Sequence, residues 1–274
     1  MMRNTIFLYV LFISIFTASC EDVVDIELNY SNERLVIEGQ LNWIKETKQT
    51  EQFIILSKTT PYFENQRIPA NNAQVEIIDQ KNNIYKFEEL NETGTYFPLD
   101  TIPYNLGSEY TLQIDFENQK YRGSEILNRV AQIIEIKQDS IPLFGNMATQ
   151  LEAYSLDPED ENNFTYFEFI SDRLENTEYN VYRDDFSNGT EYYGVLLDRD
   201  LEKGDRVRFR QYSLSKTAYQ YWYLLILQNT QQGGPFQTNP ANLNSNMVNL
   251  SKSENNPLGY FRVSEVSEVF YEVK

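Results

Sequence analysis

The sequence predicts a mainly β protein: an N-terminal immunoglobulin-like β-sandwich followed by a second β-rich, sandwich-like domain with one inserted α-helix. Three observations carry this expectation. Apolar residues alternate with polar ones along most of the chain, the period of a half-buried strand. The alternating runs are short and separated by turn residues at regular spacing, as in all-β sandwiches. Only SLSKTAYQYWYLLILQNT, residues 213–230, spaces its apolar residues like a helix. A content of 20 Tyr and 17 Phe suits strands and supplies a core.

In LVIEGQL, the first strand, Leu35, Ile37, Gly39 and Leu41 fall on one face and Val36, Glu38 and Gln40 on the other. A second strand covers Gln52 to Lys58. QVEIID runs through Lys81-Asn82-Asn83 into IYKFEEL, a hairpin whose Asn residues tolerate the positive φ of a tight turn. The clearest hairpin is YTLQIDF, then Glu117-Asn118, then QKYRGSEI, with Tyr110, Leu112, Ile114 and Phe116 alternating with polar residues. These strands make up the domain 35–129. The domain 130–274 begins with AQIIEIKQDSI and continues with FTYFEFI after the acidic turn DPEDENN. Strands at Tyr179–Arg183, Tyr192–Leu197 and Arg206–Tyr212 follow, the last turning Arg206, Arg208 and Arg210 away from Val207 and Phe209. Leu214, Ala218, Tyr221, Trp222 and Leu225 then predict a helix near 215–228, with Ser213 or Ser215 as N-cap. The run Tyr221–Leu227 also fits a buried strand. A polar loop over 229–257 and the terminal YFRVSEVSEVFYEV, one or two strands, complete the chain.

The N-terminus reads as a targeting segment. Arg3 gives a basic start and Ile6–Phe16 an apolar run too short to span a bilayer as a helix. Thr17, Ala18 and Ser19 then precede Cys20, the one cysteine of the chain. A signal peptide over 1–19 places Cys20 where a bacterial lipoprotein carries its lipidated cysteine, at the head of a linker over 20–34. A free thiol in an exported chain is the competing reading.

Composition limits the chemistry. The chain of 274 residues holds no His, so Ser-His-Asp and Cys-His catalysis and imidazole metal ligation are excluded by inventory. Its formal charge of -18 becomes -19 once Arg3 leaves with the signal peptide. Such a surface repels phosphate backbones, so no nucleic-acid partner is expected. Membrane attachment therefore rests on the lipid anchor, and no cofactor and no metal are expected.

Several segments, in order, carry a resemblance: DVVDIELNYSNERLVIEGQL after Cys20, SKTTPYF, DFSNG, GDRVRF ahead of the aromatic helix, GGPFQTNPANLNSNM and NPLGYFRVSEVSE. Together they resemble a Bacteroidetes lipoprotein family known as domain of unknown function 4249. The family's Pro-Ala-Asn-Pro-Pro-Ser-Asn pattern is here Pro240-Ala241-Asn242-Leu243-Asn244-Ser245-Asn246. The resemblance implies an immunoglobulin-like N-terminal part, an outer-membrane location and a TonB-dependent receptor as a neighbour. It also makes Glu21 and Asp22 an export signal to the cell surface, against the alternatives of a merely polar linker and a periplasmic face.

Three constellations are candidate sites. Asp157, Glu159, Asp160 and Glu161 offer calcium-type oxygens but lack the Gly and terminal Glu of an EF-hand loop, and an acidic turn is the competing reading. Tyr219, Tyr221, Trp222 and Tyr223 form a stacking platform for a sugar or hydrophobic ligand, or else core. The loop Gly233–Asn246, with Phe236 as its aromatic anchor and Asn239, Asn242, Asn244 and Asn246 as amide donors and acceptors, is a binding element or a surface insertion. The functional expectation is a non-catalytic surface lipoprotein that captures a ligand or docks beside a β-barrel receptor. The alternative is a glycan hydrolase using pairs among Asp184, Asp185, Asp198 and Asp200.

Overall fold

The computed structural model describes residues 33–61, 66–158, 163–174, 177–183, 189–230 and 242–274. Cys20, Glu21, Asp22, Glu159, Asp160, Glu161, Asp184, Asp185, Phe236 and Asn239 lie outside the described residues. In chain order the strands are β1 (Leu35–Ile44), β2 (Thr50–Lys58), β3 (Ile68–Pro69), β4 (Gln74–Asp79), β5 (Ile84–Glu89), β6 (Thr95–Pro98), β7 (Glu109–Phe116), β8 (Gln119–Ile126), β9 (Ile133–Leu143), β10 (Asn146–Leu156), β11 (Phe164–Ile170), β12 (Glu178–Arg183), β13 (Glu191–Asp198) and β14 (Arg206–Leu214). The helix α1 (Lys216–Thr230) precedes β15 (Met247–Asn249) and β16 (Leu258–Glu272). Among the described residues the chain is therefore mainly β with one helix, as its periodicity predicts.

The alternation of β1 is realised: Leu35, Ile37, Gly39 and Leu41 are buried while Glu38 is exposed. They enter a core shared with Leu112 and Ile114 of β7 and Phe261 of β16. Gly39 is required there, because a Cβ would lie 2.8 Å from the Phe261 ring and 3.4 Å from Leu112 Cδ2. The β7–β8 hairpin turns through Glu117 and Asn118 with φ of 48° and 61°, the left-handed pair of a two-residue turn. At the β4–β5 turn, Asp79 Oδ1 accepts the N–H groups of Lys81 and Asn83, each at 2.8 Å.

A large sheet follows the order β12-β11-β14-β16-β1-β2-β6-β5-β4-β7-β8-β15, with β3 beside β2, and a small sheet the order β13-β10-β9. The small sheet faces the large one across a second core. Gly194 of β13 meets Phe167 of β11 so closely that a Cβ would sit 2.6 Å from its ring. A third cluster binds α1 to the opposite face of the large sheet, through Tyr166, Tyr212 and Tyr260.

The sequence reading leaves β3, β6, β10 and β15 unread, and the structure extends it in four ways. β16 is a single strand of 15 residues, paired parallel to β1 from Leu258 to Val266 and antiparallel to β14 beyond. One sheet thus runs through both 35–129 and 130–274, and Glu33–Lys274 forms one compact unit. The segment 229–257 is not one loop: α1 extends to Thr230, and β15 pairs with β8. Within it Asn249 is consumed internally: its amide donates to Gln119 Oε1 and Asn255 O while its Oδ1 accepts the Ser251 and Lys252 N–H groups. Arg210 does turn away from the second core, but onto a face covered by side chains, where it is only 6% exposed.

Candidate binding site

Ser215 starts α1 by accepting the Ala218 N–H at its Oγ, 3.0 Å away, which satisfies one of the orphan donors of a helix N-terminus. Apolar residues occur all round the following turns, YWYLLIL, so one face binds the sheet and others stay partly open. Ala218 is buried and Tyr219, Tyr221, Trp222 and Ile226 pack on the third cluster.

Beneath the helix lies a box of aromatic rings around Arg262. Its guanidinium stands 4.2 Å from the Tyr212 ring and 5.4 Å from each of the Tyr166 and Trp222 rings. Cation–π attraction of this kind strengthens as water is excluded. Trp222 also contacts Tyr166 at 5.1 Å, so this candidate platform residue is spent on fastening the helix to the sheet. Next to the box, Arg210 donates to both Glu51 oxygens at 2.8 and 2.6 Å and to Glu268 at 2.6 Å. Tyr212 donates to Glu168 at 2.6 Å. At the start of the helix the Tyr260 hydroxyl donates to Glu125 Oε2 at 2.8 Å. Burial raises the Glu125 carboxyl above its ordinary value, against the hydrogen bonds from Tyr260 and the Ile126 N–H.

On the outer side of α1 is a cleft of about 480 Å³. The helix contributes Tyr219, Tyr221 and Tyr223 along with Gln220, the edge strand β12 contributes Arg183, and the returning chain contributes Asn242 and Asn244. Tyr219 and Tyr223, one helical turn apart, stack at 5.8 Å with 19° between their planes. Burial raises the Tyr221 hydroxyl above its ordinary value, with Glu38 adding to the rise. The structure thus brings Tyr219, Asn242 and Asn244 together and leaves Trp222 on the sheet side. Arg183 and Gln220 are additions that no local pattern marks, because only the packing of α1 beside β12 assembles them. Among the described residues the cleft offers ring faces and edges, amide groups, hydroxyls and the Arg183 guanidinium, which is recognition chemistry.

The other candidates serve the fold where they are described. Asn246 is a clamp: its amide accepts the Phe261 N–H at 2.9 Å and donates to the Phe261 carbonyl at 2.8 Å. Asp157 is buried and accepts from Asn163 Nδ2 at 3.2 Å. Asp198 Oδ1 accepts the N–H groups of Asp200 and Leu201, at 2.7 and 3.0 Å, as a turn-forming Asp does. Among the described residues no group of three His, Cys, Asp or Glu side chains is placed to hold a metal ion.

Comparison with known proteins agrees with the motif order. No curated protein matches the chain significantly. Among solved structures, a two fibronectin type-III domain segment from chicken tenascin is similar over 60% of this chain and 84% of its own, with 12% identity and a TM-score of 0.22. The model of the family described as "Domain of unknown function (DUF4249)" matches residues 21–269, and the chain belongs to that family.

Proposed function

We propose that this protein is a non-catalytic lipoprotein of a bacterial outer membrane, of the Bacteroidetes type, that captures a ligand or docks as an accessory subunit beside a TonB-dependent receptor or another outer-membrane complex. Acylation of Cys20 anchors it, and Glu21 and Asp22 direct it to the cell surface. The observation that carries the binding part is the cleft on α1, where three tyrosines and two asparagines converge with Arg183. Rings with amides around them suit a ligand that presents both apolar faces and hydroxyl or amide groups, such as a sugar or an extended peptide. The absence of His and the engagement of Asp198 in its own turn favour binding over hydrolysis.

A pull-down from detergent-solubilised outer membranes tests this reading. The wild-type chain is expected to recover a β-barrel receptor. Tyr223→Ala, at a side chain 44% exposed, is expected to reduce recovery with little change in melting temperature. Recovery of no membrane partner by the wild-type chain, or equal recovery by the variant, sinks the assignment of the cleft. Cys20→Ser should abolish fatty-acid labelling; continued labelling of that variant would overturn the anchor.

A further inference from the structure

The β9–β10 hairpin closes in a two-residue turn, Phe144-Gly145, with φ of 47° and 87°. Left-handed turns of this kind are the place of Asn-Gly or Gly-Gly, and a bulky side chain is disfavoured there. Phe144 nonetheless occupies it and is 91% exposed, so packing within the chain does not explain the choice. Strained residues of this sort point to function when the fold does not need them.

The surroundings say which medium suits the tip. Ser140 to Met147 contains no charged residue, although the chain as a whole is strongly acidic. Met147 is 58% exposed, Pro142 is exposed and Leu143 half-buried. Pro142 and Met147 pair on one face of the hairpin, and Leu143 shares the other with the exposed Asn146 amide, so the tip carries apolar groups on both faces with one amide among them. Exposed apolar groups mark a contact with a partner or a lipid surface, and their presence on both faces of a narrow tip favours a medium that surrounds it. The backbone agrees with this. Leu143 and Asn146 close the hairpin, so the next residue of β9, Pro142, turns its backbone outward, and proline has no N–H to leave unpaired. That removes one donor that hydrocarbon would leave unpaired, while Met147, beyond the last β10–β13 pair, keeps an outward N–H at the level of the interface. Pairing of β10 with β13 stops at Thr149 and Asp198, so the tip projects past the small sheet. Arg199 holds its guanidinium 5.4 Å from the Phe144 ring, an aromatic and a cation side by side as at a membrane interface.

We propose that the Pro142–Met147 hairpin tip inserts as a shallow apolar wedge into a lipid bilayer, a second membrane contact independent of the acyl chain on Cys20. The contact orients the molecule on the membrane where a lipid anchor alone leaves it free to turn.

The test uses the chain from position 20 onward carrying Cys20→Ser, which removes the anchor and leaves the hairpin intact, with vesicles of phosphatidylcholine. Co-sedimentation is expected, and because it rests on apolar burial it should persist as salt is raised. Phe144→Trp should show a blue-shifted increment of emission on adding vesicles. Phe144→Asn puts a residue suited to the turn in its place, so its melting temperature should be equal or higher, while partitioning falls about tenfold, the order expected for losing one buried Phe. Equal partitioning of the Phe144→Asn and parent chains, an unshifted Phe144→Trp increment, or binding abolished by salt overturns the proposal. So does self-association without vesicles that Phe144→Asn removes, which would assign the tip to a second copy of the chain. None of these outcomes touches the cleft or Cys20, so failure here is distinguishable from failure of the proposed function.

Discussion

Gly194 shows how much one side chain, or its absence, decides in this fold. The Phe167 ring occupies the space a Cβ would need, and a backbone-fixed β-carbon 2.6 Å away forces a shift. Gly194→Ala is therefore expected to destabilise by about 1–3 kcal/mol through overpacking, read as a lowered urea midpoint. Arg210 is the charged counterpart. It neutralises Glu51 and Glu268 on a covered face, and removing it leaves two carboxylates without a cation. Arg210→Ala should cost about 3–5 kcal/mol, whereas the triple change to Met, Gln and Gln at 210, 51 and 268 should recover most of it. Equal stability of the single and triple variants would show that the loss is one of packing. Glu125 contributes in the opposite sense. Its folded pKa is raised by burial, so the folded state holds a proton that the unfolded chain releases above its ordinary value near 4.5. Stability from this group is thus greatest below that pH and falls as pH rises to the folded pKa. Glu125→Gln should remove that part of the decline, so its stability relative to wild type should increase from acidic to neutral pH in paired denaturation curves.

At the scale of elements, α1 is the informative case. Its period was legible in residues 213–230, with Ser213 or Ser215 left as the cap and Tyr221–Leu227 also open to a buried strand; the structure makes it a helix capped by Ser215. Which ring faces the sheet was not legible, because apolar residues surround the helix and amphipathicity does not choose a face. The choice is made by the sheet, which offers Arg262 and Tyr166 to Trp222. Trp222→Ala is expected to loosen α1, lowering the melting temperature and raising amide exchange over 216–230, since a large aromatic truncation costs about 3–5 kcal/mol. Unchanged protection in the helix would mean that other contacts hold it. The segment 242–257 illustrates the converse: rich in Asn and Ser, it reads as a loop, yet Asn246 and Asn249 use their amides to replace missing ladder bonds. Polar composition marks solvent exposure only when the polar groups lack protein partners.

For the whole molecule, β16 matters most. Phe261 and Val263 lie in the first core, Val266 in the third cluster, and Val269 and Tyr271 against the second core. A fragment spanning 35–129 lacks the strand that covers β1 and loses Phe261, Val263 and Met247 from its core. It is expected to show no cooperative thermal transition, while residues 33–274 should unfold in a single one. A folded fragment with a sharp melt would instead establish two independent domains.

The sequence by itself determined most of the strands, though not β3, β6, β10 or β15, together with the β4–β5 and β7–β8 turns. It also determined a period over 213–230 that fits a helix, the family resemblance and the exclusion of imidazole chemistry. Each of these rests on residues close together in the chain or on inventory alone. Period two in β1 and the Glu117-Asn118 turn needed no distant partner to be read. Tertiary structure alone decided that the last strand runs parallel to the first, that Arg210 is covered, and that Arg183, Tyr219, Asn242 and Asn244 share a cleft. Those outcomes depend on pairings across up to about 220 positions, such as Val36 with Leu258, and local patterning carries no information about which distant edge a strand will meet.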